Sequence, residues 1–408
     1  MSSVTDHESA QPAIANGVAT IRRIRATQVN IPLEAPYRWS VGQFAGMSKT
    51  VVEVETTDGA VGLGEAPNHA SARLIDEVLA PKLIGANAYD FAACERRCIP
   101  PIRVLLNTDD PSIVRAYGGV EMALWDLVGK LEGRSLASLL GGRVRNEIEF
   151  TEYFALRTAS NGKRFEETPI DIARYCERMQ SEHGARFFEG KVGVEPLDVE
   201  LEMVREVRAA IGPDTPLRLD ANMAWTVTTA RRALSLLEQY DISSIEEPAR
   251  SLEEMARLRN GTSIAFSAHD ANLKAAARLG VPDAFVINLT ALGGVRRTIA
   301  FVQACEHLGV NVWFYSPDGG IANAAYLQVA AAVDWLDHPS QTLLRWHADD
   351  VIAGGPFQPK DGVLSVPDGP GLGIELDQAS LERCHRRFLE DGAYDQYADP
   401  TRGDYYVH

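Results

Sequence analysis

The sequence predicts an α/β protein in which a parallel barrel of strand-helix units follows a smaller α+β domain. From Glu147 onward, short β-branched or apolar runs alternate with amphipathic helical patterns, which is typical of parallel strands joined by crossover helices. Asp220, Glu246 and His269 each stand at the end of such a run. At 408 residues the chain is long enough for a barrel and a second domain.

The smaller domain is predicted over residues 20–145 and is called the capping domain below. Alternation within residues 21–57 predicts two strands, with a loop rich in Gly and Pro over residues 32–49. The pattern becomes helical over residues 71–140. Residues 1–19 lack the basic start and apolar core of a signal peptide, so we expect a disordered leader.

The barrel is predicted over residues 146–365. Its candidate strands lie at residues 147–155, 185–193, 216–221, 242–246, 263–268, 284–289, 311–316 and 342–346. Their spacing is close to the length of one strand-helix unit, so seven or eight units would close a barrel. Residues 366–408 are irregular and end in several tyrosines, which predicts a segment that returns to the capping domain or forms an oligomer interface.

Polar side chains near the ends of six consecutive strands form the candidate site. They are Lys191, Asp220, Glu246, His269, Asn288 and Tyr315. Because parallel barrel strands all end at the same mouth, we expect these side chains to converge. Two carboxylates and one further ligand at an open mouth suit a hard divalent cation such as Mg²⁺. The sequence therefore predicts a metal-assisted enzyme.

Net charge, hydropathy and cysteine content indicate which classes of partner are excluded and where the protein is expected to be located. A formal net charge of −16 argues against a nucleic acid or a membrane surface as the partner. No apolar run reaches the length of a membrane span. The five cysteines are sparse and odd in number, which favours reduced thiols and a cytoplasmic location.

Several motifs, taken in order, resemble those of a known family. They are Gly62-Leu63-Gly64-Glu65-Ala66, Ala123-Leu124-Trp125-Asp126-Leu127, the Asp-x-Asn of Asp220 and Asn222, Glu246-Glu247-Pro248 and Leu292-Gly293-Gly294. Together they resemble the enolase superfamily, in particular the mandelate racemase and muconate lactonizing group, with a leaning towards glucarate dehydratase-like members. The resemblance implies a modified TIM barrel, (β/α)7β, with an α+β capping domain above it and the substrate between them. It also implies a homo-oligomer.

The resemblance further implies Mg²⁺ held by acids after three consecutive strands. Asp220 and Glu246 match the first two positions, and His269 followed by Asp270 stands at the third. Register along the chain favours His269 as the third ligand, whereas the preference of a hard cation for oxygen favours Asp270.

Two departures from the family pattern bear on mechanism. The group usually has Lys-x-Lys on its second strand, but this chain has Glu189-Gly190-Lys191. Lys191 matches the lysine that acts as a base, and Glu189 shares its face of the strand and is expected in the mouth as well. The alternative is an ion pair between the two. On the opposite face the family's His and Asp are replaced by Tyr315 and Asn288, so that dyad is absent.

Other polar residues each allow two interpretations. Tyr315 is a candidate proton donor or a pocket-filling ring, with Ser316 and Asp318 as alternative acids. Asn288 either positions substrate or caps a loop. Asn222 either orients Glu246 or a metal-bound water, or makes local turn bonds.

The capping loop and the overall chemistry complete the prediction. Tyr37, Arg38 and Trp39 are candidates for the distal end of the substrate, or else a surface aromatic cluster. We expect a Mg²⁺-dependent carbon-oxygen lyase that dehydrates a small carboxylate, a sugar acid, with Lys191 removing the α-proton. The alternatives are a racemase, epimerase or cycloisomerase of the same family, or a catalytically weakened member that binds metal and carboxylate.

Overall fold

The computed structural model describes residues 18–99 and 111–394. Residues 1–17 of the predicted leader and the tail beyond residue 394 lie outside the described residues. Within the described ranges, none of the helices has the length and apolar character needed to cross a membrane. The five cysteines are all buried and free.

The capping domain is built on an antiparallel sheet. Its strands are β1 (Ile21–Trp39), β2 (Gly42–Thr56) and β3 (Val61–Ala66), paired in that order. The loop predicted over residues 32–49 is wrong, because β1 and β2 stay paired up to Trp39 and Gly42. The prolines at 32 and 36 are accommodated because the register shifts between Pro32 and Tyr37, where ladder hydrogen bonds are interrupted.

Helices cover one side of this sheet. They are α1 (Ser71–Leu74), α2 (Ala80–Leu83), α3 (Phe91–Cys98), α4 (Ser112–Glu132) and α5 (Leu136–Leu139), with a π-helical turn at Ile75–Leu79. The long helix α4 lies directly on β3. A Cβ at Gly64 would come within 2.1 Å of the carbonyl oxygen of Gly119 and 2.8 Å of the backbone nitrogen of Ala123. Glycine on β3 therefore sets how closely the helix approaches the sheet.

Eight neighbouring strands form the barrel. They are β5 (Glu152–Phe154), β6 (Phe188–Lys191), β7 (Leu217–Asp220), β8 (Ser244–Glu246), β9 (Ala265–Ala268), β10 (Ala284–Ile287), β11 (Asn311–Ser316) and β12 (Gln341–Thr342). Each hydrogen-bonded pair in this sheet is parallel. The first and last strands meet where the Thr151 backbone nitrogen donates to the Ser340 carbonyl at 2.9 Å. The predicted α/β barrel with an α+β capping domain is confirmed.

The first predicted barrel strand is divided in two. Its start forms β4 (Glu147–Glu149), which pairs antiparallel with β13 (Val363–Ser365) outside the barrel. Only its end, β5, belongs to the barrel. The eighth predicted strand is likewise shorter than expected and ends at Thr342.

Helices alternate with the barrel strands. They are α6 (Pro169–His183), α7 (Leu197–Ile211), α8 (Val227–Leu237), α9 (Leu252–Leu258), α10 (Leu273–Leu279), α11 (Leu289–Leu292), α12 (Val295–Leu308) and α13 (Gly320–Ala332), followed by α14 (Gln378–Asp391). Several begin at a side-chain cap, as at Thr168, whose hydroxyl accepts from the Asp171 backbone nitrogen. α14 lies against the capping sheet, where Arg387 Nη1 donates to the Asn30 carbonyl at 3.0 Å.

The close packing of α4 on β3 gives a stability prediction. We expect Gly64→Ala to lower the free energy of unfolding by about 3 kcal/mol, the upper end for an overpacked core, because the clashing atoms are backbone. Urea denaturation of the variant and the parent measures this. Gly261→Ala is the matched control, since a Cβ there meets nothing within 4 Å. Equal stability of the two variants would contradict the packing argument.

Candidate active site

The six predicted side chains lie at one end of the barrel. Lys191, Asp220 and Glu246 are the last residues of β6, β7 and β8, and the next two positions fall directly after β9 and β10. Lys191 is the register partner of Asp220, which is in turn the partner of Glu246. The structure therefore brings the predicted residues to a common mouth, as parallel strands require.

Two carboxylates are buried side by side at this mouth. Asp220 and Glu246 are each 1% exposed. Within the described residues, neither oxygen of Glu246 receives a hydrogen bond of good geometry. Burial raises the pKa of Glu246, and the charge of Asp220 adds to that rise. A buried pair of carboxylates in which Glu246 lacks donors of good geometry favours a bound cation.

His269 lies against Glu246. Its Nε2 is 2.8 Å from Glu246 Oε1, and its Nδ1 is 3.0 Å from the carbonyl oxygen of Val286. Because a carbonyl can only accept, Nδ1 carries a proton, and Nε2 faces the carboxylate. Burial would lower the pKa of His269, but the charge of Glu246 outweighs burial and raises it to about 9. A contact of this length between Nε2 and the carboxylate is favourable when a proton or a metal ion lies between them. The Nδ1 contact suits the second case, because metal-binding histidines commonly donate the N–H of their other nitrogen to a carbonyl oxygen.

The alternative third ligand is placed differently. Asp270 is exposed, and its carbonyl oxygen accepts from the Asn272 backbone nitrogen at 2.8 Å. The neighbouring Glu247 is buried and accepts from the His269 backbone nitrogen at 3.3 Å. The structure thus puts His269, and not Asp270, beside Glu246.

Lys191 contacts one of the two buried carboxylates. Its ammonium donates to a carboxylate oxygen of Asp220 and to the side-chain oxygen of Asn222. Burial would lower the pKa of Lys191, but the charge of Asp220 outweighs it and raises that pKa. Over the described residues, no three or more His, Cys, Asp or Glu side chains are arranged as a metal site. Asp220, Glu246 and His269 fit a cation by chemistry and burial, and Lys191 contacts one oxygen of this set at Asp220.

Asn222 holds Lys191, and within the described residues its hydrogen bonds go to Lys191, Asp220 and Ser40 and not to Glu246. Its backbone nitrogen donates to Asp220 Oδ1 at 2.8 Å. Its φ of 41° lies in the left-handed region, which asparagine tolerates better than most residues. This turn directs the carboxamide towards the Lys191 ammonium.

Glu189 lies one layer beneath the mouth and not in it. It is fully buried, accepts from Gln341 Nε2 at 2.6 Å and from Thr151 Oγ1 at 3.1 Å, and is 3.6 Å from Arg218 Nη1. Residues i and i+2 share a face of a strand but differ in depth by two residue rises, which separates Glu189 from Lys191. The expectation that Glu189 enters the mouth is wrong. The alternative of an ion pair between Glu189 and Lys191 is wrong as well, because Lys191 pairs with Asp220 and Glu189 lies beside Arg218.

The opposite wall carries Tyr315 and a buried polar network. The Tyr315 ring centroid is 4.3 Å from that of His269. Asn288 Nδ2 donates to Asp318 Oδ2 at 2.7 Å, while Asn288 Oδ1 accepts from the Thr290 backbone nitrogen at 3.0 Å. Asn288 therefore caps α11 and fixes Asp318. Ser316, beside them, is 2% exposed and its hydroxyl has no hydrogen-bond partner in the described chain.

Tyr37, Arg38 and Trp39, which were predicted to lie in a loop, are the last residues of β1 and have three different surroundings. Tyr37 is buried, and its ring lies 5.5 Å from that of Trp346 and 5.4 Å from that of Phe44, so it is part of the apolar contact between the domains. Arg38 Nη1 is 3.8 Å from Glu195 Oε1. Trp39 is the member at the mouth, with its ring 5.7 Å from Lys191 Nζ.

A cavity of about 320 Å³ lies between the capping domain and the β10–β11 side of the barrel. Its polar lining includes Lys49, Asn68, Arg115, Asn288, Tyr315 and Asp318. Sequence reasoning missed Lys49 and Arg115. Lys49 could have been noticed from the sequence. Residues two apart share a face of a strand, and Lys49 is a cation between the apolar residues Met47 and Val51 on one such face.

Comparison with known proteins agrees with this architecture. Residues 21–141 match the family model of the mandelate racemase / muconate lactonizing enzyme N-terminal domain, and residues 171–380 match that of the enolase C-terminal domain-like family. The second match alone spans more than half of the chain.

Individual relatives cover most of the chain. A protein of Streptomyces coelicolor named "probable glucarate dehydratase" is 29% identical over 372 residues, covering 84% of this chain and 86% of its own. Muconate cycloisomerase 1-1 of Acinetobacter lwoffii is 28% identical, covering 91% of this chain and 97% of its own. An enolase from Pseudomonas fluorescens Pf0-1, crystallised with magnesium, potassium and tartrate, is 26% identical with a TM-score of 0.84, over 92% of this chain and 94% of that one. The chain belongs to the mandelate racemase and muconate lactonizing enzyme group of the enolase superfamily.

Proposed function

We propose that this protein is a Mg²⁺-dependent lyase that removes the α-proton of a small sugar acid and then eliminates its β-hydroxyl. The observation that carries the proposal is the asymmetry of the mouth. Lys191 stands on β6, where its nitrogen can take a proton once it is neutral, whereas the far wall has the phenol of Tyr315 and the amide of Asn288. Reversible inversion at the α-carbon needs, on each face, a group that can both take and give the proton. A protonated phenol can give a proton but not take one, so elimination with one base fits better.

The donor set suits the cation that this chemistry needs. Asp220 and Glu246 would hold Mg²⁺ through oxygen, with His269 Nε2 as the third protein ligand. When bound, Mg²⁺ would offset the charge of these carboxylates and stabilise the negative charge that develops on the substrate carboxylate. A relative crystallised with magnesium supports this cofactor.

Lys191 moves the α-proton. Its nitrogen accepts the proton as the electron pair of the C–H bond forms the new carbon-carbon double bond. Asn222 and Trp39 keep the side chain in place, the first by a hydrogen bond and the second by its ring face. Asp220 holds the lysine as an ammonium ion in the structure, so Lys191 must first release a proton to solvent before it can act as the base, and a cation bound beside it would favour that release.

Tyr315 supplies a proton to the departing hydroxyl. Burial raises its pKa, and the charge of Asp318 adds to the rise, so the phenol remains protonated at neutral pH. The β-carbon to oxygen bond breaks, water leaves, and the resulting enol becomes a 2-keto acid. Because β11 and β6 lie on different sides of the barrel, donation by Tyr315 corresponds to anti elimination, and donation by Lys191 to syn.

Two other functions each have a specific observation in their favour. A cycloisomerase is supported by the relative named muconate cycloisomerase 1-1. A weakened member that binds metal and carboxylate is supported by the contact of Lys191 with Asp220, which competes with metal binding. Incubation with Mg²⁺ in D₂O and a panel of aldarates, aldonates, α-hydroxy acids and muconate, followed by NMR, distinguishes these. A 2-keto acid product supports the lyase, exchange without elimination supports a racemase or epimerase, a lactone formed from muconate supports a cycloisomerase, and no reaction favours the weakened member.

The role of Lys191 gives the first activity prediction. In Lys191→Met we expect α-proton exchange and dehydration to fall on the order of 10²–10⁴-fold, because a general base is lost. The measurement is deuterium incorporation and product formation by NMR. Lys274→Met is the matched control, because Lys274 is exposed on α10. Full activity of Lys191→Met would rule out lysine as the base.

Tyr315 gives a second prediction that separates the two bond changes. Tyr315→Phe keeps the ring but loses the hydroxyl, so we expect dehydration to fall on the order of 10²–10⁴-fold. Exchange of the α-proton with solvent deuterium should continue, since Lys191 is intact. Unchanged dehydration would mean that Tyr315 only fills the pocket.

The third ligand gives a prediction on metal preference. Imidazole suits later transition metals, whereas carboxylate suits Mg²⁺. We expect His269→Asp to weaken the preference for Co²⁺ over Mg²⁺ several-fold, measured as the ratio of dissociation constants by calorimetry. Asp270→Asn should leave that ratio unchanged. The opposite pattern in this pair of variants would assign the ligand to Asp270.

A further inference from the structure

Lys49 is a buried cation at the contact between the two domains. It is 6% exposed, and its ammonium donates to Asp318 Oδ1 and to the Pro67 carbonyl, the latter at 3.1 Å. A lysine ammonium has three donors, so one N–H remains after these two bonds. Lys49 lines the 320 Å³ cavity described above, which gives that remaining donor a space to serve.

The charge of the cavity favours an anion. Asp318 is the only carboxylate among its described lining residues, and it is already satisfied by Lys49, Asn288 Nδ2 and Tyr326 OH, the last two at 2.7 and 2.8 Å. Arg115 also lines the cavity and is exposed. The described lining thus holds two cationic side chains, Lys49 and Arg115, and one fully bonded carboxylate, so it has one more positive than negative group.

The cavity begins beside the metal-binding candidates. Tyr315 lines it and also contacts the His269 ring, so one aromatic side chain separates the cavity from the candidate ligands. Small-molecule pockets range from about 300 to 1,000 Å³, and a volume of about 320 Å³ suits an acyclic acid of a few carbons. A substrate with one carboxylate bound to a Mg²⁺ ion that Asp220 and Glu246 would hold would direct its other end past Tyr315 towards Lys49.

We propose that Lys49, with Arg115, binds a second carboxylate at the far end of the substrate, so that the protein selects dicarboxylic acids over acids with one carboxylate. The proposal rests on the proposed function, because in that function the first carboxylate would bind Mg²⁺ held by Asp220 and Glu246. The tartrate in the related enolase structure is a dicarboxylate and agrees with this class of ligand.

The test compares two ligands that differ only at the far end. Glucarate has a carboxylate at its sixth carbon, and gluconate has a hydroxymethyl group there. With Mg²⁺ present, we expect calorimetry to show about 10-fold or tighter binding of glucarate to the parent protein, the size of one or more hydrogen bonds to a charged group. The double variant Lys49→Met/Asp318→Asn removes both charges of the pair, so Asp318 is not left without its cation, and it should bind the two ligands about equally.

Further variants guard against a folding defect. Lys49→Arg keeps the cation and should retain the preference for glucarate, whereas Arg115→Met should reduce it. Lys274→Met, an exposed substitution outside the cavity, should leave it unchanged. A preference that survives in the double variant, equal binding of the two ligands by the parent, or no binding of either would overturn the proposal.

Product analysis of the same samples separates this proposal from the lyase function. If gluconate is dehydrated and glucarate is not preferred, the lyase function holds and the role of Lys49 is wrong. If glucarate is preferred, and the preference is lost in the double variant, but no 2-keto acid forms, the role of Lys49 holds and the lyase function is wrong.

Discussion

The adjacent burial of Asp220 and Glu246 is the constraint on which the site depends. Parallel pairing of β7 with β8 makes the two residues register partners, and burial denies them water. Like charges so placed are costly unless cations compensate them. Lys191 contacts the first and His269 contacts the second. The negative charge of these two carboxylates thus holds the basic groups at the mouth, and the same charge would attract a metal ion.

In the barrel layer beneath the mouth, the charged side chains are paired with one another. Glu189 is balanced by Arg218, whose guanidinium lies 3.8 Å from the Trp313 ring centroid, and Gln341 adds a hydrogen bond. Because this layer is satisfied internally, Glu189 does not draw on Lys191. Because the two layers are separate, the contacts of Lys191 depend on the groups at the mouth, and binding of a cation or a substrate there can change them.

Local pattern was sufficient for the strand ends but not for contacts between distant segments. Asp220 and Glu246 were located because each ends a short apolar run, and a barrel brings such ends together. The depth of Glu189 depends on which residues of β7 and β12 lie beside it, which is not visible in one strand. The position of Lys49 at the cavity depends on its contact with Asp318, which lies 269 positions later in the sequence. The hairpin over residues 32–49 was hidden because prolines that mark a loop also fit a register shift.

The capping domain completes the mouth as well as covering it. Glu65 of β3 accepts from the Gly319 backbone nitrogen at 2.8 Å, and Asp350 accepts from the next one, Gly320, at 2.9 Å. Carboxylates are favoured at the start of a helix, so this contact fixes α13 and the loop that carries Asp318. Lys49 then joins that loop to β2. Since the proton-transfer candidates stand on the barrel and Lys49 stands on the cap, changes in the cap can alter which acid is bound without altering the groups that take its proton.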